Sequence, residues 1–391
     1  MTRHLTIAAL TGGWLLALTW TVQAAQQIDV GAVSVHQAGF VSKHRFLAQS
    51  SELIGGELSS ADQERLDELL RQAQESIDER DFAGAISYYR QAIEIDEDNA
   101  KLYSGIGYLQ LQQGDYPLAV EYYRQAIDRD SRNLPFRYGL AHSLFEAERY
   151  EESADVYREI LRMAPQEANA HLGLGGILLR LEDFEGARDA YEELVRVSPD
   201  NAQAHEAIGM LYVAQGNYNE ALRPLQRALQ LDPNRSSVHT NLAEIWLEQG
   251  NQSRAEEALR QSIRINPRDA RAQFQLARIF EARGDRDRAF IHYEEAVDAD
   301  PSLVSAQAAL GEMLLERQQY IRAVIAYRYL TQRLPEDAGA QYNLGLALWG
   351  QGQQDSAAQA IRRALRLYEG QDDEAGMERA KALLDSWGFE E

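Results

Sequence analysis

The sequence predicts an all-α protein, a solenoid of antiparallel helix hairpins, and three observations predict it. From Leu66 through Gln371 the chain aligns as nine rows of 34 residues without an insertion or deletion. A fixed period of roughly 20 to 50 residues marks a repeat architecture. Two columns of the alignment are small throughout: Ala73, Gly107, Ala141, Gly175, Gly209, Ala243, Ala277, Gly311 and Gly345, then Ala85, Ala119, Ser153, Ala187, Ala221, Ala255, Ala289, Ala323 and Ala357. Four residues beyond the second runs a large column: Tyr89, Tyr123, Tyr157, Tyr191, Leu225, Leu259, Tyr293, Tyr327 and Ile361. Small positions let two helices cross with their backbones close. Pro165, Pro199, Pro233, Pro267, Pro301 and Pro335 close six rows at one offset, where a helix stops.

In chain order, Met1 to Ala24 carries Arg3 and His4, an uncharged run from Leu5 to Val22, and Val22-Gln23-Ala24 ahead of Ala25. This reads as a secretory signal peptide over 1–24, cleaved after Ala24. The competing reading is an uncleaved single-span anchor, against which Gly12, Gly13 and the threonines dilute the apolar run. Either way the repeats lie outside the cytoplasm, periplasmic or secreted. Residues 25–59 match neither the repeat nor a helical period and read as a flexible or extended leader, or as a partner-docking arm. Ser60 and Gln63 have the spacing of a capping box ahead of Leu66, Leu69 and Leu70, so the nine-repeat array is expected over 60–371.

Within the rows, Gly114, Gly216, Gly250, Gly284 and Gly352 mark the end of the first helix, where a left-handed residue is often required. Pro117 and Pro135 fall in a first helical turn, where a missing N–H costs nothing extra. Pro224 falls deeper, where a kink is expected. The aromatic after the turn (Phe82, Tyr116, Tyr150, Phe184, Tyr218, Tyr320) is replaced by Gln252, Arg286 and Gln354. A buried ring there is worth about 2–3 kcal/mol, so rows six and seven are expected to form the loosest joint. Residues 372–391 read as a capping helix with Met377, Ala380, Leu384 and Trp387 on one face.

The small residue, the Gly114-Asp115-Tyr116 and Gly216-Asn217-Tyr218 turns, the alanine, the tyrosine and the closing proline together resemble the tetratricopeptide repeat. The resemblance covers about four fifths of the chain. It implies a right-handed superhelical α-solenoid of antiparallel helix hairpins, here an exported bacterial member, whose concave groove takes extended peptides or partner helices.

Lys and Arg total 39 against 61 Asp and Glu, a net charge of −22, which repels phosphate backbones and makes nucleic acid or an anionic lipid surface a poor partner. With no cysteine there is no disulfide framework, thiolate chemistry or lipoprotein anchor. No nucleophile elbow, phosphate loop or zinc-protease helix occurs, and Gly173-Leu174-Gly175-Gly176 falls inside a helix. His171, His205 and His239 stack one period apart. Helix axes pack about 8–10 Å apart, so three such rings cannot converge on one metal, and they read as packing residues. Neither cofactor nor metal is expected.

The concave side implied by the resemblance carries Tyr108, Leu111, Tyr138, His142, Phe145, Leu172, Leu179, Met210 and Val213. They form an apolar trough for a partner segment, or else plain intra-solenoid packing. In rows six to eight the same surface turns polar, with Thr240, Glu244, Arg271, Arg278, Glu281, Glu312 and Glu316. The basic-and-Asn clamp that some members use for C-terminal carboxylates is not present in these columns. The expected function is a non-enzymatic protein-protein interaction scaffold or adaptor in the bacterial cell envelope. The alternative is an accessory in assembly or export of a surface polysaccharide, with Tyr108, Tyr138 and Tyr342 exposed for sugar stacking.

Overall fold

A computed structural model describes residues 58–389; the stretch expected to be a signal peptide and nearly all of the expected leader lie outside the described residues. The described chain is all-helical. It divides into two compact units, the first ending at Leu231 and the second beginning at Asp232.

The first unit holds α1 (Ser60–Asp78), α2 (Phe82–Ile95), α3 (Ala100–Gln113), α4 (Tyr116–Arg129), α5 (Leu134–Glu146), α6 (Tyr150–Met163), α7 (Ala168–Arg180), α8 (Phe184–Val197), α9 (Ala202–Ala214) and α10 (Tyr218–Leu231). The second holds α11 (Ser236–Glu248), α12 (Gln252–Ile265), α13 (Ala270–Ala282), α14 (Arg286–Ala299), α15 (Val304–Glu316), α16 (Tyr320–Arg333), α17 (Ala338–Gly350), α18 (Gln354–Gly370) and α19 (Glu374–Trp387). Odd-numbered helices up to α17 are the first helix of each row, and α19 follows the last row. Within each unit every helix packs along its successor, and turns of two or three residues inside a row make each pair an antiparallel hairpin.

The core follows the columns. Tyr123 is 2 % exposed. A Cβ added to Gly107, in its own row, would lie 3.0 Å from the ring, and one added to Gly139, in the next row, 2.3 Å from it. Tyr157 stands in the same way at 2.5 Å from Gly173, and Tyr191 at 2.3 Å from Gly175. Each large side chain is therefore a wedge between helices, and the small residues give it room. The glycines of Gly173-Leu174-Gly175-Gly176 lie in α7 as packing positions.

Each turn inside a row places one residue in the left-handed region. Gly114, Gly216, Gly250, Gly284 and Gly352 do so as expected, with φ of 73–84°. The same column also holds Arg80, Glu148, Glu182 and Gln318, at φ 58–63°, where a Cβ makes the conformation costly. Side-chain caps then fix the start of the second helix: Asp81, Asp115, Asp183, Asn251 and Asp285 each accept the backbone N–H three residues on.

One expectation is corrected. The first cap is Ser59, whose Oγ accepts the Asp62 N–H at 3.1 Å and donates to Asp62 Oδ2 at 2.7 Å, while the Gln63 side chain turns along the helix to Asp67. The acceptor box thus sits one residue earlier than its spacing suggested. Helix α10 runs unbroken through Pro224, and a shallow cleft of about 870 Å³ lies beside it, lined in part by His205, Ile208, Tyr212, Arg223 and Pro224. Rows six and seven share one core, in which Ala243, Ala255 and Leu259 join Leu276, Phe280 and Tyr293. Ion pairs from Arg271 to Glu244 at 3.1 Å and from Arg283 to Glu256 cross between them, supplying a link where the aromatic is missing.

The last helix buries Ala380 and Leu384, and Met377 and Trp387 pack against the terminal cluster. Trp387 stacks on Trp349 of α17, ring centroids 4.1 Å apart and planes within 1°.

Two substitutions test this account through their denaturation midpoints. Gly173→Ala forces a methyl group into Tyr157 and is expected to cost about 1–3 kcal/mol. Glu182→Gly relieves the left-handed penalty and is expected to stabilise by roughly 1 kcal/mol.

Candidate functional site

The first helices of rows two to four are enclosed over most of their residues. In α7 ten of thirteen residues are buried, whereas α8 buries four of fourteen. Any surface that these helices present is therefore a narrow strip. Three columns, at i, i+4 and i+7, carry the nine residues expected to line a trough.

The trough as expected is corrected. Leu179 is 1 % exposed and belongs to the core of the first unit. Leu111, Tyr138, Leu172, Met210 and Val213 are also buried, because bulk at these positions fills the space between neighbouring helices. Only Tyr108, His142 and Phe145 of the nine are half-buried, and they alone keep substantial surface. Phe145 meets Tyr150 edge-on, centroids 5.4 Å apart, and His142 lies 3.8 Å from Glu146. Tyr138 packs edge-on against Tyr157 at 6.0 Å, with its hydroxyl buried and unpartnered. That burial, with Glu167 nearby, pushes the phenol far above its usual range.

The histidine column has a specific structural role. His171 Nε2 lies 2.9 Å from the carbonyl of Pro165, and His205 Nε2 3.0 Å from that of Pro199. Tyr103, Gln273 and Gln307 donate to the carbonyl six residues earlier in the same way. At these five positions the column ties down the turn between rows, and the mix of Tyr, His and Gln, all able to donate at similar reach, was the available signal. Among the described residues no group of three or more His, Asp or Glu could hold a metal ion.

In the second unit the polar residues on the first helices are bound into networks. Thr240 Oγ1 donates to Asp269 Oδ2 at 2.8 Å and lies 2.9 Å from Ser262 Oγ, which itself bonds Asp269 at 2.7 Å. The Glu244 carboxylate, largely enclosed, pairs with Arg271. Desolvation nevertheless raises its pKa above the ordinary value, against the pull of Arg271. Tyr293 Oη donates to Glu281 at 2.7 Å, Arg286 pairs with Glu316, and Arg278 stands over the Phe274 ring at 6.0 Å. Glu312 is exposed. Its pKa is raised by partial desolvation and by the charges of Glu316 and Glu281, while Arg286 opposes the shift.

Comparison with known proteins agrees with this geometry. Residues 133–342, over half of the chain, match the cilia and flagella-associated protein 70 C-terminal domain family, and residues 70–133 and 338–371 match tetratricopeptide repeat families. The chain belongs to the tetratricopeptide repeat family. Its fold resembles that of a tetratricopeptide repeat protein from Parabacteroides merdae, with a TM-score of 0.56 at 18% identity over 64% of this chain and 99% of that one. The human IFIT1 dimer with m7Gppp-AAAA gives 0.48 at 19% identity, over 73% and 67% of the two chains. MamA from Desulfovibrio magneticus gives 0.38 at 22% over 44% and 97%. No curated protein sequence matches the chain. The tetratricopeptide fold is a scaffold for protein partners, typically without catalysis. Among the described residues no helix is long and apolar enough to cross a membrane.

The Glu244–Arg271 pair gives a pH-dependent prediction. A carboxyl whose folded pKa is raised costs stability as pH climbs through that value, and the cost vanishes below the unfolded value. Arg271→Ala leaves Glu244 enclosed and unpaired, so it is expected to destabilise by about 2 kcal/mol at pH 7.5. The loss should be smaller at pH 4, read from urea midpoints at the two pH values.

Proposed function

We propose that this chain is a non-enzymatic scaffold of the bacterial cell envelope that holds a partner peptide or helix on the first-helix face, anchored at Tyr108, His142 and Phe145. The observation that carries this reading is the contrast within three columns. Where six of nine side chains are consumed by packing, these three, on the adjacent helices α3 and α5, keep surface that the hairpin core does not use. Half-buried aromatic groups beside a rigid backbone are what an apolar segment needs for anchorage, since little conformational entropy is lost on docking. Under this reading residues 1–24 direct export and are removed after Ala24, leaving the repeats periplasmic or secreted and 25–59 as an arm or leader. The strong negative charge favours a partner that is not itself acidic.

A role in surface-polysaccharide assembly or export draws less support. It relied on exposed tyrosines, and Tyr138 is buried while Tyr108 and Tyr342 are half-buried.

The test places a photo-crosslinking phenylalanine analogue at Phe145 in producing cells. A discrete crosslinked protein is expected, and Tyr108→Ser with His142→Ser should reduce its yield by about tenfold or more. Unchanged yield would refute the anchor. N-terminal sequencing of the same material should begin at Ala25.

A further inference from the structure

The tyrosines of the second helices reach across to the first helices, and the fate of their hydroxyls varies along the repeat. Tyr293 donates to Glu281, twelve positions earlier. One row on, Tyr327 holds the same register, but twelve positions before it stands Leu315. Tyr327 is 2 % exposed. Its Cζ lies 3.1 Å from where a Cβ on Gly311 would stand, so its hydroxyl is carried to the helix turn that bears Glu312. That hydroxyl is buried and has no partner at full hydrogen-bond geometry. Glu312 is the charge acting most strongly on it, and the Asn343 side chain also neighbours it.

Glu312 is itself exposed, and among the described residues it makes no hydrogen bond or ion pair. The carboxylates that act on it, Glu281 and Glu316, are engaged by Tyr293 and Arg286. Helices α13 and α15 thus present three carboxylates, one of them free, and the buried Tyr327 hydroxyl lies at the turn that carries it. In the repeat, Glu312 occupies the register of Tyr108 and His142.

We propose that Glu312, supported by Tyr327 and flanked by Glu281 and Glu316, receives the lysine or arginine side chain of a basic peptide segment. This rests on the proposed function, that the first-helix face takes a partner segment, and it names the chemistry of that segment in the second unit. A cation relieves the repulsion among the three carboxylates and pairs the one that is unpaired. A guanidinium or ammonium donates to Glu312 without the convergent ligand set a metal would need. Tyr327 is a positioning residue. Its oxygen is covered, so it acts by donating to the Glu312 carboxylate once a bound cation draws that group over it. Lowering the pH through the raised Glu312 value removes the negative charge, so binding weakens in acid.

Random dodecapeptides displayed on phage, panned on the full chain and on Glu312→Gln, provide the test. Peptides selected by the unchanged chain are expected to share a Lys or Arg at one position, and those selected by the variant to lack it. For the best peptide, synthesised with a fluorescent label, Glu312→Gln should weaken binding by about tenfold or more. Norleucine or citrulline at the basic position should do the same, and the two changes together no more than either alone. Tyr327→Phe should weaken binding by about two- to threefold without lowering the thermal midpoint of the free chain, since it removes an unsatisfied buried hydroxyl. Selected peptides with no fixed basic position, or affinity unchanged in Glu312→Gln, overturn the proposal. If binding then depends on Tyr108 and Phe145, the scaffold reading stands without it; dependence on neither face overturns both.

Discussion

A tyrosine ring lodged between two first helices, touching a small residue of its own row and another of the next, is the contact on which the remaining packing depends. Tyr123 shows it between Gly107 and Gly139, and Tyr157 against Gly173. The wedge sets how near consecutive hairpins come, and that spacing determines which other positions are enclosed. Burying such a ring contributes about 2–3 kcal/mol, and the contribution recurs down each unit. Cohesion is therefore local and summed, as in other stacked repeats. Where the ring gives way to Leu225 or Ile361, a Cβ added to Gly209 or Gly345 would still lie 2.6 or 2.5 Å from the substitute. The fit is to volume and not to aromaticity.

Because wedges bring first helices close, those helices are more enclosed than their second-helix partners in rows two to four, and polar groups that turn inward must find partners within the array. The donor column to the inter-row carbonyls, the Thr240–Ser262–Asp269 network and the Tyr293–Glu281 bond all answer this requirement. Arg129 does the same from a second helix, donating to the Glu97 carbonyl at 2.7 Å and lying over the Tyr103 ring at 3.6 Å. Groups left out of these arrangements, such as the Tyr327 hydroxyl and the Glu312 carboxylate, stand out against that background, and their isolation gives them meaning.

The helices, their order and the two small columns were legible in the sequence because period and residue size act along one axis, and 34-residue spacing displays both. The strip of usable surface was not. Leu179 and Phe145 share a column and have similar apolar character, yet one is core and the other half-buried, since the difference lies in how neighbouring rows close over them. The left-handed column was half-readable. Glycine announced five positions, whereas Arg80, Glu148, Glu182 and Gln318 adopt the same backbone under pressure from the hairpin, against their own preference. Ser59 was missed in favour of Ser60 because adjacent serines offer the same cap to a pattern search, and only the backbone selects between them.

The indole pair that joins α17 to α19 has an optical consequence. Two aromatic chromophores lying parallel at van der Waals separation do not absorb independently; their excited states mix, and the mixing falls steeply with distance. Trp246, with Arg254 over its ring at 4.9 Å, lies two rows or more away in the sequence and takes no part in that pair. The chain thus carries its own spectroscopic gauge of whether the final helix is seated, with an internal reference, and fraying at that end can be followed without any label.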